Sequence, residues 1–93
     1  MRIDASILQR EFIGLEAKVV RSANPSKVGI KGRITNETKK TFTLLHNGRE
    51  KMIVKETSTF HVKFPDGTVI EIDGKVLIGR PEDRVKRVVR RRW

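Results

Sequence analysis

From residue 16 to residue 80 apolar and polar side chains alternate in short runs, and a period of two predicts β-strands rather than helices. The expected strands are 17–21, 29–36, 41–46, 50–55, 59–64, 68–72 and 75–78. Within them Phe42 and Leu44, Ile30, Gly32 and Ile34, and Phe60, Val62 and Phe64 recur on one side, so those sets should face the interior. The runs are separated by Asn47-Gly48, Pro65-Asp66-Gly67 and Asp73-Gly74. Each puts Asn or Gly where a tight hairpin needs a positive φ, and together they predict an antiparallel meander. Short strands with one burial face each hide that face best by curling. The expected fold class is therefore mainly β, a small antiparallel barrel of about six strands, with Gly29 and Gly32 as the places where the sheet bends.

The pattern changes at both ends. Residues 1–14 read as a short helix, with Asp4 as N-cap, Ile7, Leu8 and Phe12 near helical spacing, and Gly14 as the stop. Ile3 and Leu8 stand where a hydrophobic staple would join across that cap. The apolar face either plugs one end of the domain or docks on another protein. Residues 80–93 read as a second, basic helix: Pro81 suits its first position, Glu82 and Asp83 its first turn, and the cations follow. Val85, Val88 and Val89 form a stripe that packs, while Arg84, Arg87 and Arg91 line another side. Ile7, Leu8, Phe12, Val85, Val88 and Val89 are thus the candidate contacts for a protein partner. Trp93 could stack on a base or pack on the barrel.

Composition narrows the class. A chain of 93 residues carries one hydrophobic core, which makes 1–93 a single domain with a barrel at 16–79. The hydrophobic share of 37% predicts a modest core, and the lack of cysteine removes disulfides and thiolate metal ligation from consideration. No stretch approaches the roughly 20 apolar residues that span a bilayer, and the N-terminal run lacks the form of a signal peptide. A cytoplasmic protein without membrane partners is the expectation.

The net charge of +10 favours polyanions, and its distribution says more than its size. Residues 1–40 carry nine basic and four acidic side chains, 41–79 carry five and five, and 80–93 carry seven and two. A neutral centre between two basic segments suggests a scaffold that presents charge from its ends. The candidate RNA contacts are Arg21, Lys27, Lys31, Arg33, Lys39, Lys40, Arg80, Arg84, Lys86, Arg87, Arg90, Arg91 and Arg92. The loop 22–27 would be a phosphate-contacting rim, with Ser and Asn hydrogen bonds beside the cations, or else a plain connection.

Catalytic constellations are absent from the pattern. His46 and His61 fall on different strands, and no carboxylate pair accompanies either at metal-ligand spacing. Glu71 and Asp73 share a strand face but read as surface residues, and Gly29-Ile30-Lys31-Gly32 is too short for a nucleotide loop. Neither catalytic residues, a metal nor a bound cofactor is expected for this chain.

Two stretches carry a resemblance. Val28-Gly29-Ile30-Lys31-Gly32-Arg33-Ile34-Thr35-Asn36-Glu37-Thr38-Lys39-Lys40-Thr41, and the run from Val69 through Asp73-Gly74 to Gly79-Arg80-Pro81-Glu82-Asp83-Arg84-Val85-Lys86-Arg87, resemble the protein component 1 family of archaeal ribonuclease P, the Pop4-type subunits. The resemblance covers nearly the whole chain. It implies an Sm-like barrel with helical termini, a subunit of the ribonucleoprotein that removes the 5′ leader of precursor tRNA. It also implies that catalysis belongs to a magnesium-dependent RNA, and that the partners are ribonuclease P RNA, a zinc-ribbon protein subunit and the other protein subunits, with precursor tRNA met indirectly. Glu37, Thr38 and Lys39 match the family's turn motif and Arg80, Pro81, Glu82, Asp83 and Arg84 its C-terminal motif. Arg84 could pair with Glu37 or Asp83 instead of phosphate. Two other classes compete with this reading, a ring-forming Sm-like protein and a ribosome-associated structural protein. An enzyme acting alone is the weakest class.

Overall fold

The computed structural model describes residues 12–78 and the backbone of 89–91. Seven strands, β1 (Glu16–Ser22), β2 (Lys31–Glu37), β3 (Thr41–His46), β4 (Arg49–Val54), β5 (Ser58–Lys63), β6 (Val69–Asp73) and β7 (Val89–Arg91), form one antiparallel sheet. Its order is β4-β3-β2-β1-β5-β6-β7. Two hairpins fall at the expected turns. Asn47 and Gly48 both have positive φ, 51° and 77°, as a two-residue turn of type I′ requires. Gly67 has φ 88°, and Thr68 N–H donates to Asp66 Oδ1 at 2.9 Å.

The meander does not run through the whole chain, because β5 pairs with β1 rather than with β4. Only residues 55–57 join the first strand of the ladder to the fifth, a span of four peptide steps and at most about 14 Å. The sheet therefore has to curl until β4 and β5 meet at that corner. The core records the same curl: Ile53 of β4, Ile34, Phe42, Ala17, Val19, Phe60, Val62, Ile70 and Ile72 of β6 all belong to one buried cluster. The ladder bends at register shifts between Val19 and Arg21 in β1 and between Ile34 and Asn36 in β2. An extra residue on one strand increases local twist, so bulges at Val20 and Thr35, not Gly29 and Gly32, are where register is lost. Gly29 turns the chain into β2 at φ 90°, and a Cβ on Gly32 would collide with the Leu45 carbonyl.

Three expectations are corrected. The strand expected at 75–78 is a 3₁₀ helix, Gly74–Leu77, and Asp73-Gly74 is not a hairpin. Asp73 Oδ1 accepts from Lys75 N–H at 3.0 Å, which caps the helix, and Gly74 is buried where a Cβ would strike the carbonyl oxygens of Lys55 and Ser58. The C-terminal helix is not continuous over 80–93, because Val89–Arg91 pairs with β6, with Ile70 opposite Arg90. Without β7 the β6 ladder groups would be an open edge, and that demand outweighs the helical spacing of the valines. Phe12, expected to face a partner, is fully buried in the core. It stacks on Phe42 with ring centroids 6.0 Å apart and meets Phe64 edge-on at 6.3 Å. Gly14, with φ 93°, then turns the chain into β1. The rest of the expected N-terminal helix, with Ile7 and Leu8, and residues 79–88, with Val85 and Val88, lie outside the described residues.

Candidate nucleic-acid interface

In an antiparallel pair, residues directly opposite each other share a face. Lys31 of β2 stands opposite Lys18 of β1, which stands opposite His61 of β5, which stands opposite Glu71 of β6. The next rung reads Leu45, Arg33, Glu16, Lys63 and Val69. Ala17, Val19, Ile34, Phe60 and Val62 face inward, so these rungs lie on the outer face. Lys18, Lys31, Arg33, Lys63 and His61 thereby occupy the middle of the sheet, with Glu16 and Glu71 interspersed. Lys18 and Lys63 were not anticipated as contacts. Their parity against Ala17 and Val62 marks both as outward in the sequence, but only the β1–β5 pairing puts them side by side.

Glu71 ties this face together. Its Oε2 lies 3.2 Å from Arg21 Nη2 and its Oε1 lies 3.1 Å from His61 Nε2. The Arg21 side chain is 69% exposed, so the pair is screened by water and is worth at most about 1 kcal/mol. A phosphate oxygen could replace the carboxylate at little cost. His46 acts on the backbone instead, with its Nδ1 2.9 Å from Lys31 O and 3.1 Å from Lys31 N. Lys31 N–H donates to Nδ1, so that nitrogen is the acceptor, and the ring prolongs β2–β3 pairing past the last ladder rung.

The loop 22–27 uses its polar groups on itself. Asn24 Oδ1 accepts from Ser26 N–H at 3.1 Å and from Ser26 Oγ at 2.7 Å, capping the 3₁₀ turn Pro25–Lys27. Ala23 N–H donates to Thr57 O at 2.9 Å, which ties the loop to the β4–β5 corner. Lys27 remains as its cation. Lys39 and Lys40 occupy a separate exposed turn, closed by Thr38 N–H donating to Thr41 O at 2.9 Å and by Thr38 Oγ1 accepting from Thr41 N–H at 3.0 Å. Eight residues of largely extended chain separate Lys31 from Lys39, about 25 Å. Arg90 and Arg91 lie in β7, four strands or about 19 Å from β2 along the sheet. The expected contacts therefore do not form one patch. Arg80, Arg84, Lys86, Arg87 and Arg92 lie outside the described residues.

A charged pair inside the domain was also not anticipated. Lys55 is fully buried, and its Nζ donates to Glu37 Oε2 at 2.7 Å, Thr38 O at 2.7 Å and Leu77 O at 3.1 Å, while lying 4.8 Å from the Phe42 ring centroid. Glu37 Oε1 accepts from Phe12 N–H at 3.3 Å. Alternation did carry a signal, since Lys55 has the parity of the buried Ile53. The turn motif thus divides by role: Glu37 and Thr38 build the fold, and Lys39 and Lys40 face solvent.

The chain is similar to known proteins over most of its length. The family model described as ribonuclease P/MRP, subunit p29, matches residues 5–87. The chain belongs to that family. It is 47% identical over 88 residues to ribonuclease P protein component 1 of Methanococcus maripaludis, covering 91% of this chain and 92% of the relative. It is 49% identical over 85 residues to the protein of the same name from Thermofilum pendens, covering 90% of each. A solved structure of a homologue of the human RNase P protein Rpp29 superposes with a TM-score of 0.60 at 39% identity, covering 82% of this chain and 99% of that one. The p29 family match thus spans β1 to β6.

Proposed function

We infer that this chain is an RNA-binding protein subunit of ribonuclease P, supporting the RNA that removes the 5′ leader of precursor tRNA rather than performing the cleavage itself. The observation that carries this reading is the family match over residues 5–87, joined to relatives of nearly equal length that bear the name ribonuclease P protein component 1. On this reading magnesium and the RNA supply the chemistry. The chain supplies cations held at fixed spacing, Lys18, Lys31, Arg33 and Lys63 on the outer face, Arg21 and Lys27 at its margin, and Lys39 and Lys40 at a turn, and adds the arginine-rich sequence of residues 80–92. Phosphate contacts of this kind orient a folded RNA without reading bases, which suits a surface with few aromatic side chains.

The curled sheet is read as an Sm-like barrel, the immediate protein partner as a zinc-ribbon subunit of the same enzyme, and the compartment as the cytoplasm. Neither a ring-forming nor a ribosomal reading has an observation that favours it. The test is reconstitution of precursor-tRNA cleavage at limiting magnesium, with ribonuclease P RNA and the other protein subunits, with and without this chain. Cleavage should rise when the chain is added, and the chain alone should cleave nothing. Unchanged cleavage, or cleavage by the chain alone, overturns the reading.

A further inference from the structure

The outer strand β4 combines two features that soluble sheets avoid together. The β3–β4 hairpin closes on Asn47-Gly48, which makes His46 and Arg49 the pair that exchanges both ladder hydrogen bonds. Hydrogen-bonded and non-hydrogen-bonded pairs alternate from there. Leu45–Glu50, Thr43–Met52 and Thr41–Val54 are then the non-hydrogen-bonded pairs, and the N–H and C=O of Glu50, Met52 and Val54 point away from β3. Among the described residues no strand pairs with that side, since β4 ends the ladder. The same residues bring apolar surface: Met52 is 60% exposed, Val54 49%, and the adjacent Leu45 43%.

Edges of this kind are usually blunted by a proline, a bulge or charged side chains; β4 has no proline or bulge, its register runs unbroken from Arg49 to Val54, and its charges end at Lys51, leaving Met52 to Val54 uncharged. Cations flank both ends. Arg49 and Lys51 stand at one end, and Lys39 and Lys40 precede Thr41, the residue opposite Val54, at the other. We propose that β4 receives, by strand addition, an extended segment of a partner protein whose alternating apolar side chains cover Met52, Val54 and Leu45 and whose flanking residues are acidic. RNA would match the cations but would leave the ladder groups and the apolar side chains without partners. A second copy of β4 would gain little from charge, because Arg49, Lys51, Lys39 and Lys40 outnumber Glu50 and Glu56 and leave both ends net positive.

The experiment is amide hydrogen exchange on the whole chain, with a synthetic peptide of alternating Val and Thr flanked by Glu at both ends. In the free chain the amides of Glu50, Met52 and Val54 should exchange fast and those of Phe60 and Val62 slowly. With peptide at ten times its Kd the three edge amides should slow about tenfold, because only the unbound fraction exchanges. The same peptide flanked by Lys should not slow them. Met52→Pro removes an outward N–H and should abolish the response of Glu50 and Val54. Met52→Glu keeps the N–H, opposes the acidic peptide and should weaken it. Unchanged slow exchange at Phe60 and Val62 shows that each variant is folded. The proposal is overturned if the acidic peptide leaves the three amides unchanged, if RNA protects them in its place, or if they are already protected in a chain of doubled mass. None of these outcomes touches the cleavage assay, so the two readings fail separately.

Discussion

Lys55 and Glu37 show how one charged pair can hold several segments at once. The ammonium satisfies all three of its donors on Glu37, Thr38 O and Leu77 O, so β2, the turn after it and the 3₁₀ helix meet at one atom. Phe12 N–H joins through the other carboxylate oxygen. Breaking such a pair from one side leaves a buried charge without its counterpart, at a cost of about 3–5 kcal/mol. Glu37→Leu should therefore lower the urea midpoint strongly without changing the m-value. Lys55→Met should also destabilise, and the double variant should recover much of the loss, since neither charge is then buried. A double variant no more stable than the worse single would show that the pair contributes through hydrogen bonds to the backbone instead.

At the scale of elements, the 3₁₀ helix Gly74–Leu77 and strand β7 finish the sheet that β6 would otherwise leave ragged. Gly74 has an ordinary φ but sits where only hydrogen fits, against the carbonyls of Lys55 and Ser58. Gly74→Ala should force the helix off the β4–β5 corner at a cost of about 1–3 kcal/mol. For a domain of this size that is a fall in Tm of roughly 4–8 °C per kcal/mol, measurable by calorimetry. A wild-type Tm would mean that the corner relaxes freely. The His46 ring works at the same scale, since it extends the β2–β3 pairing and keeps Lys31 and Arg33 on a strand whose twist is set.

For the whole molecule, charge is distributed rather than focused. The centre of the outer face, the Lys39–Lys40 turn and strand β7 lie in separate places, so an RNA that met all of them would need to follow the curled surface. Each phosphate contact should contribute about 0.7–0.9 to the slope of log affinity against log salt. Replacing Lys18, Lys31 and Arg33 together by Gln should reduce that slope by about 2–3, with little change in Tm because all three point outward. An unchanged slope would remove the central face from the RNA interface.

Residue alternation alone determined the β class, the inward sets around Phe42, Ile34 and Phe60, and the Asn47-Gly48 and Pro65-Asp66-Gly67 turns, because side-chain period and positive-φ demand are local properties of the chain. The motifs around Glu37 and Arg80 carried the family. Tertiary structure decided the rest. Whether β5 follows β4 or returns to β1 is settled by which arrangement encloses the core, and that choice places Lys18 and Lys63 beside Lys31 and Arg33. Lys55 has the parity of a buried position, but Glu37 and the two carbonyls that make its burial possible converge on it only in the fold. Asp73-Gly74 has the composition of a hairpin, yet becomes a helix cap because Gly74 must fit against two carbonyls. Val89 lies in a helical pattern and joins a strand because β6 offers it a ladder. In each case a local preference worth about 1 kcal/mol yields to contacts between residues distant in sequence, and no window of sequence contains both partners.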